Sequence, residues 1–168
     1  MIDRIFDRLA RIIEFGLALA FIFAVLLNFA NVVGRYVFGI SLLGADEVQI
    51  FIMVGMTFIG AAVVTRRNMH LRMDVLVRFF SPRVQILLRV FEQLLLLVLA
   101  AFVVKESFGY AQRMLTLGRT SDMAGVPMWI PHGTISLGFA LILIVVIWRI
   151  IRMARGIPDV PPKPEAPL

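Results

Sequence analysis

Arg89 and Glu92 stand three residues apart in a long stretch without helix breakers, so they share one helical face. At the centre of a bilayer each charge would cost about 2.5–3.5 kcal/mol. Either they form an intrahelical pair near the interface, with Arg89 snorkelling, or they make a polar contact to another helix or subunit. Arg35, Asp46 and Glu47 bracket a short connection, where a salt bridge is geometrically easy. Such a bridge is expected to be structural sooner than partner-binding. His70 and His132 are predicted on opposite sides of a membrane, so they cannot jointly hold a metal or haem. With no cysteine in the chain, thiolate metal sites and disulfides are excluded. Glu14 sits too near the start of its helix to serve as a proton-carrying carboxylate deep in a bundle. The expectation is therefore a protein with no catalytic centre, no metal and no cofactor, and not an enzyme.

The elements that must position these residues are apolar spans. Sixty per cent of the 168 residues are hydrophobic and the mean hydropathy is +0.91. A soluble domain of this size would expose too much of that surface to water, so the natural solvent is a bilayer. The net charge of +6 sits beside the spans, which favours topology and anionic lipid as its explanation over nucleic acid.

The fold class expected is an all-α integral membrane protein of four transmembrane helices. Ile2, Ile5, Phe6 and Leu9 give the first eleven residues an amphipathic helical face, which suits an interfacial segment. Helix 1 is expected over roughly Ile12 to Phe38, as a retained span and not a cleaved signal peptide. Gly16, Ala20 and Ala24 form a stripe of small residues on it that would permit close packing. Helix 2 opens with Asp46 and Glu47 at its positive dipole end and continues through Val64, with Gly55 and Ala62 on one face. A second amphipathic interfacial segment, carrying Arg66, Arg67, His70, Arg72 and Arg78, joins helices 2 and 3.

Ser81-Pro82 provides an N-cap and a proline at the first position for helix 3, which has no breaker before Gly118. At 1.5 Å per residue that helix is about 50 Å long, so it must tilt or project. Helix 4 is expected from Met128 to Ile151, with Trp129 and Trp148 as anchors near its two ends. Residues 1–155 form the membrane domain, and the proline-rich stretch 156–168 is expected to be an extended, disordered cytoplasmic tail. Twelve of the 17 Lys and Arg residues fall on the terminal flanks and the helix 2–3 segment, against four on the opposite side, with Arg89 inside helix 3. The positive-inside rule then puts both termini in the cytoplasm.

The string Asn31-Val-Val-Gly-Arg-Tyr-Val-Phe38, followed by Ser41 and Ala45-Asp-Glu47, resembles the small membrane subunit of tripartite ATP-independent periplasmic (TRAP) transporters. The similarity continues through Phe58-Ile-Gly-Ala-Ala62, Arg67, His70-Leu-Arg-Met-Asp74 and Ser81-Pro82, then Gly125-Val-Pro-Met-Trp-Ile-Pro131 and Gly138-Phe-Ala-Leu141. It covers nearly the whole chain, and its specificity lies in the order and spacing of these pieces. Gly34 departs from it, standing where many relatives carry a larger residue.

The resemblance implies a scaffold in the bacterial inner membrane, supporting a large elevator-type permease subunit that holds the substrate and sodium sites. It also implies a periplasmic binding protein that delivers a dicarboxylate or a sialic-acid-like carboxylate. Arg35, Glu47, Arg67, His70 and Asp74 match the family's recurrent polar positions. Membrane lipids are the remaining expected partner. The chain shows no internal repeat and no polar break in mid-span, which self-sufficient carriers usually have. The alternatives are a small self-contained proton-coupled transporter and a membrane anchor of a redox complex; the lack of a facing histidine pair counts against the second.

Overall fold

The computed structural model describes residues 2–67 and 80–155. Four helices account for most of them: α1 (Ile2–Val37), α2 (Ala45–Arg67), α3 (Pro82–Thr116) and α4 (Trp129–Ala154). Each contains a stretch long and apolar enough to cross a bilayer. The expected helix 1 and the amphipathic segment before it form one continuous helix of 36 residues. The second amphipathic segment, with His70 and Asp74, lies largely outside the described residues, as does 156–168.

The helix boundaries follow local chemistry. Gly34 accepts the backbone N–H groups of Phe38 and Ile40 at 3.2 and 2.9 Å and so closes the end of α1. A Cβ there would lie 2.8 Å from the Ile40 carbonyl oxygen, so this turn favours glycine. Ser81 takes the N-cap position of α3 with extended backbone and Pro82 follows, as expected, but the serine side chain makes no capping hydrogen bond. Gln85 instead reaches back with its side-chain amide to the Phe80 carbonyl at 2.9 Å. At the far end of α3, Leu117 and Gly118 turn the chain, and Arg119 N–H returns to the Met114 carbonyl at 3.2 Å.

Three helix–helix seams set the architecture: α1 with α2, α2 with α4, and α4 with α3. The spatial order is therefore α1–α2–α4–α3, a row in which α1 and α3 are the outer members. Successive helices along the chain run in opposite directions, so α2 and α4 are parallel neighbours in the row. The α1–α2 and α3–α4 connections thus share one end of the row, the connection end, and the chain termini lie near the other, the terminal end.

Tight packing is concentrated on α4. Ala62, Ala100, Ile142 and Val146 are buried together, with Leu96, Leu97 and Phe139 packed around them. Gly138 lies directly against the backbone of Phe58, so that a Cβ would meet that carbonyl carbon and oxygen at 2.6 Å. Gly55 faces the Thr134 methyl, and Ala62 is in the core. The small face foreseen on α2 is therefore the one against α4. In lipid the helices gain little hydrophobic drive toward one another, so close approach of small residues supplies the dispersion contacts that hold the seam.

The α1–α2 seam is looser. Its α1 side runs through Leu17, Ala20, Ala24, Leu27 and Asn31, alternating steps of three and four. Ala20 and Ala24 of the small-residue stripe belong to it, but Gly16 meets no neighbour among the described residues.

Candidate functional site: polar clasps at the two ends of the row

Within the spans the surfaces are almost wholly apolar, and the polar side chains gather where the helices end. At the connection end, Glu47 on the first turn of α2 reaches across to the α3–α4 connection. Its carboxylate accepts Ala124 N–H at 2.8 Å and Met123 N–H at 3.1 and 3.2 Å. The acceptor is presented with a ready set of donors because residues 120–127 form a tight hairpin. Thr120 and Pro127 pair across it, Ser121 N–H donates to the Val126 carbonyl at 2.8 Å, and Val126 N–H donates to Ser121 Oγ at 3.1 Å. The tip amides of Met123 and Ala124 are left pointing outward, an anion-binding arrangement of backbone N–H groups.

The other connection is fastened to the same point. Gly44 has a left-handed backbone (φ +81°) and sits so close to the hairpin that a Cβ would lie 2.6 Å from Ala124 Cα. Nearly two turns before the end of α1, Asn31 is buried and accepts Leu42 N–H at 3.0 Å while donating to Asp46 at 3.4 Å. The two acidic residues therefore hold backbone and amide groups of the protein's own connections. The salt bridge expected from Arg35 is not formed: no ion pair joins it to Asp46 or Glu47 among the described residues, and Arg35 is exposed. The hairpin N–H groups occupy the Glu47 carboxylate and the Asn31 side-chain amide donates to Asp46, in place of the exposed arginine on α1.

At the terminal end, Arg149 of α4 is buried and donates to the Thr65 and Arg66 carbonyls at the end of α2. Those carbonyls belong to the last turn of α2, where the dipole favours a cation. Arg66 forms an ion pair with Asp7 of α1 at 3.3 Å. It also lies over the Trp148 ring, 4.7 Å from its centroid, and Arg152 lies 4.6 Å from the same centroid. The three helices α1, α2 and α4 are thus joined by charge at one end, as the connections join them at the other.

The remaining candidates distribute as follows. Arg67 is the last residue of α2. Arg89 and Glu92 are both exposed on α3. Between them and the core lies Gln93, 4% exposed, whose Oε1 has no hydrogen-bond partner among the described residues. Trp129 opens α4 and Trp148 lies near its other end, as anchors at both ends would. His132 meets the Tyr110 ring edge-on at 4.5 Å. No group of three or more metal-ligating side chains is assembled among the described residues. Sequence reasoning did not single out Asn31, Thr65, Arg149 or Gln93 as site residues. A polar residue on an otherwise apolar helical face was the signal available for Asn31, Arg149 and Gln93.

These features define a multi-pass membrane protein whose polar side chains fasten its own helices end to end. Residues 24–156 match the family described as tripartite ATP-independent periplasmic transporters, DctQ component, and the chain belongs to that family. Among its relatives is a TRAP transporter small permease protein of Haemophilus influenzae, 25% identical over 126 residues, covering 75% of this chain and 77% of that one. The ectoine TRAP transporter small permease protein of Halomonas elongata is 27% identical, covering 83% and 71%. The C4-dicarboxylate TRAP transporter small permease protein of Vibrio cholerae is 25% identical over 151 residues; the match covers 75% of this chain and 65% of the relative.

Proposed function

We propose that the chain is the scaffold subunit of a sodium-coupled importer of organic acids, of the dicarboxylate or sialic-acid-like class. In this reading it supports a large elevator-type permease subunit, and a soluble periplasmic binding protein delivers the solute. The observation that carries it is the row architecture with its fastened ends. A stationary support needs a stiff frame with broad apolar faces, and both requirements follow from the clasps and from the exposed helix surfaces. On α1 the consecutive residues Phe21, Ile22 and Phe23 are each more than half exposed in the isolated chain, so apolar surface extends well around the helix beyond the α2 seam. That surface suits lipid on one side and a membrane-embedded partner on another.

The named relatives support transport of small organic solutes, since one concerns C4-dicarboxylates and another ectoine. The bacterial inner membrane is the proposed location, with both termini cytoplasmic; the excess of Arg and Lys toward the terminal end supports this orientation. Residues 1–155 are proposed as the membrane unit and 156–168 as a separate tail. Arg35, Arg67, His70, Asp74, Arg89 and Glu92 are proposed as contacts to other subunits.

Reconstitution tests the reading. The tagged chain should copurify with a much larger multi-span subunit. Proteoliposomes with both subunits and the binding protein should take up the acid only under a sodium gradient, and those with this chain alone should take up none. Uptake by this chain alone would falsify the scaffold role and favour a self-contained proton-coupled transporter.

A further inference from the structure

Contacts between helices fix which residues of the row share a height. Gly60 of α2 lies against Leu17 of α1, whose Cδ1 would be 3.7 Å from a Cβ there. Phe58 of α2 meets Gly138 and Phe139 of α4. On the other side of α4, Ile142 and Val146 pack with Ala100 of α3, and His132 meets Tyr110. Leu19, Phe58, Gly138 and Lys105 are therefore level with one another. Nearer the terminal end, the Asp7–Arg66 and Arg66–Trp148 contacts put Arg8 of α1 level with Leu95 of α3.

At both heights the two outer helices differ in chemistry. Leu19 and Leu95 are exposed leucines, whereas Lys105, Glu106 and Arg8 are exposed charges. The same offset runs along the faces turned away from the row. On α1 that face is apolar through Phe15, Ile22, Phe29 and Tyr36, and becomes basic at Arg11 and Arg8. On α3 it is apolar through Leu87, Phe91, Val98 and Phe102, then turns to Lys105, Gln112 and Arg113. A bilayer perpendicular to the helices would set the charges of one outer helix at the depth of the other's apolar face, where charge is costly. The two bands differ in height by about 20–25 Å, over three interaxial steps of about 8–10 Å each. Both fit one slab when the helices lean by roughly 40° within the plane of the row, inside the range that spans adopt. Crossing about 30 Å at that lean takes about 26 residues, which α4 has and α1 and α3 exceed. Arg89 interrupts the α3 band within two turns of Arg83, near enough to its edge to snorkel, and Glu92 has a partner of its own.

We propose that the row crosses the bilayer obliquely. The lipid-contacting bands of α1 and α3 then sit at staggered heights along the helices. The last third of α3, from Lys105 to Thr116, stands clear of the hydrocarbon on the connection side and turns its outward face to water.

The chain has no cysteine, so each single-cysteine variant carries one spin label. Full-length variants along the two outward faces are reconstituted in vesicles of phosphatidylcholine and phosphatidylglycerol. Collision with oxygen, which concentrates in hydrocarbon, is compared with collision with a water-soluble nickel chelate. Leu19→Cys and Leu95→Cys should give oxygen-to-nickel ratios at least fivefold above those of Glu106→Cys and Arg8→Cys. The ratio should peak within a turn of Leu95 along α3 and between Ile22 and Leu26 along α1. Several labels define each peak, so one misfolded variant does not move it. An upright row gives the opposite result: Leu19→Cys and Glu106→Cys agree within twofold, and the α3 profile peaks within a turn of Lys105. That outcome overturns the proposal. So does a label at Glu106 that neither reagent reaches, because protein and not water then covers this part of α3.

Discussion

Helices α1 and α4 have nearly the same mean hydropathy in their spans, 2.3 and 2.5, yet 6% of the α1 span is buried within the chain against 33% of the α4 span. Apolarity therefore does not distinguish an outer helix from a central one in this protein. The difference lies in where small residues allow backbone to approach backbone. Gly138 of α4 touches the Phe58 backbone, whereas a Cβ at Gly16 of α1 would meet nothing within 4 Å among the described residues. In a bilayer the solvent is as apolar as the side chains, so seams are chosen by shape and by the few polar groups that need partners.

Breaking the tighter seam should have the largest effect. Gly138→Leu places a side chain where the Phe58 carbonyl already stands, and backbone cannot yield as a side-chain tip can. A loss of about 3 kcal/mol is expected, read by thermal unfolding of the purified protein in detergent. Gly44→Val should follow at about 2 kcal/mol, since it combines a left-handed backbone with a clash against Ala124. If Gly44→Val were as mild as an ordinary surface change, the close joining of the two connections would be wrong.

Arg149→Met should cost about 1–2 kcal/mol, because it removes the charged donor that reaches from α4 to the Thr65 and Arg66 carbonyls. Glu47→Gln should act more locally. Amide exchange at Met123 and Ala124 should accelerate while the α4 core stays protected, so protection factors measured residue by residue would separate the clasp from the bundle. Gly16→Leu marks the other end of the scale, with an expected change under about 0.5 kcal/mol. A large loss there would show that α1 has a neighbour within the chain on that face, contrary to the row.

The four spans and the Ser81-Pro82 and Gly118 boundaries were legible because each rests on local chemistry: span length, a proline without an N–H, a glycine in a left-handed turn; the start of α1 was not, since the amphipathic segment runs into the span without a breaker. The sorting of basic residues to one end was legible for the same reason. Arg35 shows where local reading stops. Its proximity in sequence to Asp46 and Glu47 suggested a bridge, but the hairpin 120–127, more than seventy residues further along, supplies the donors instead. Gly138 was visible as part of a family-like string, but nothing in that string says which backbone it meets.

Composition and periodicity by themselves determined that the chain lives in a bilayer and crosses it four times. These properties depend on each segment's own free energy of transfer and its own backbone hydrogen bonds. Tertiary structure alone decided the order α1–α2–α4–α3, the capture of Glu47 by the hairpin amides, and the stacking of Arg66 and Arg152 on Trp148. Each of those depends on groups far apart in the chain meeting at one point, and lipid, being indifferent among apolar faces, leaves that choice to shape and to the placement of a few charges.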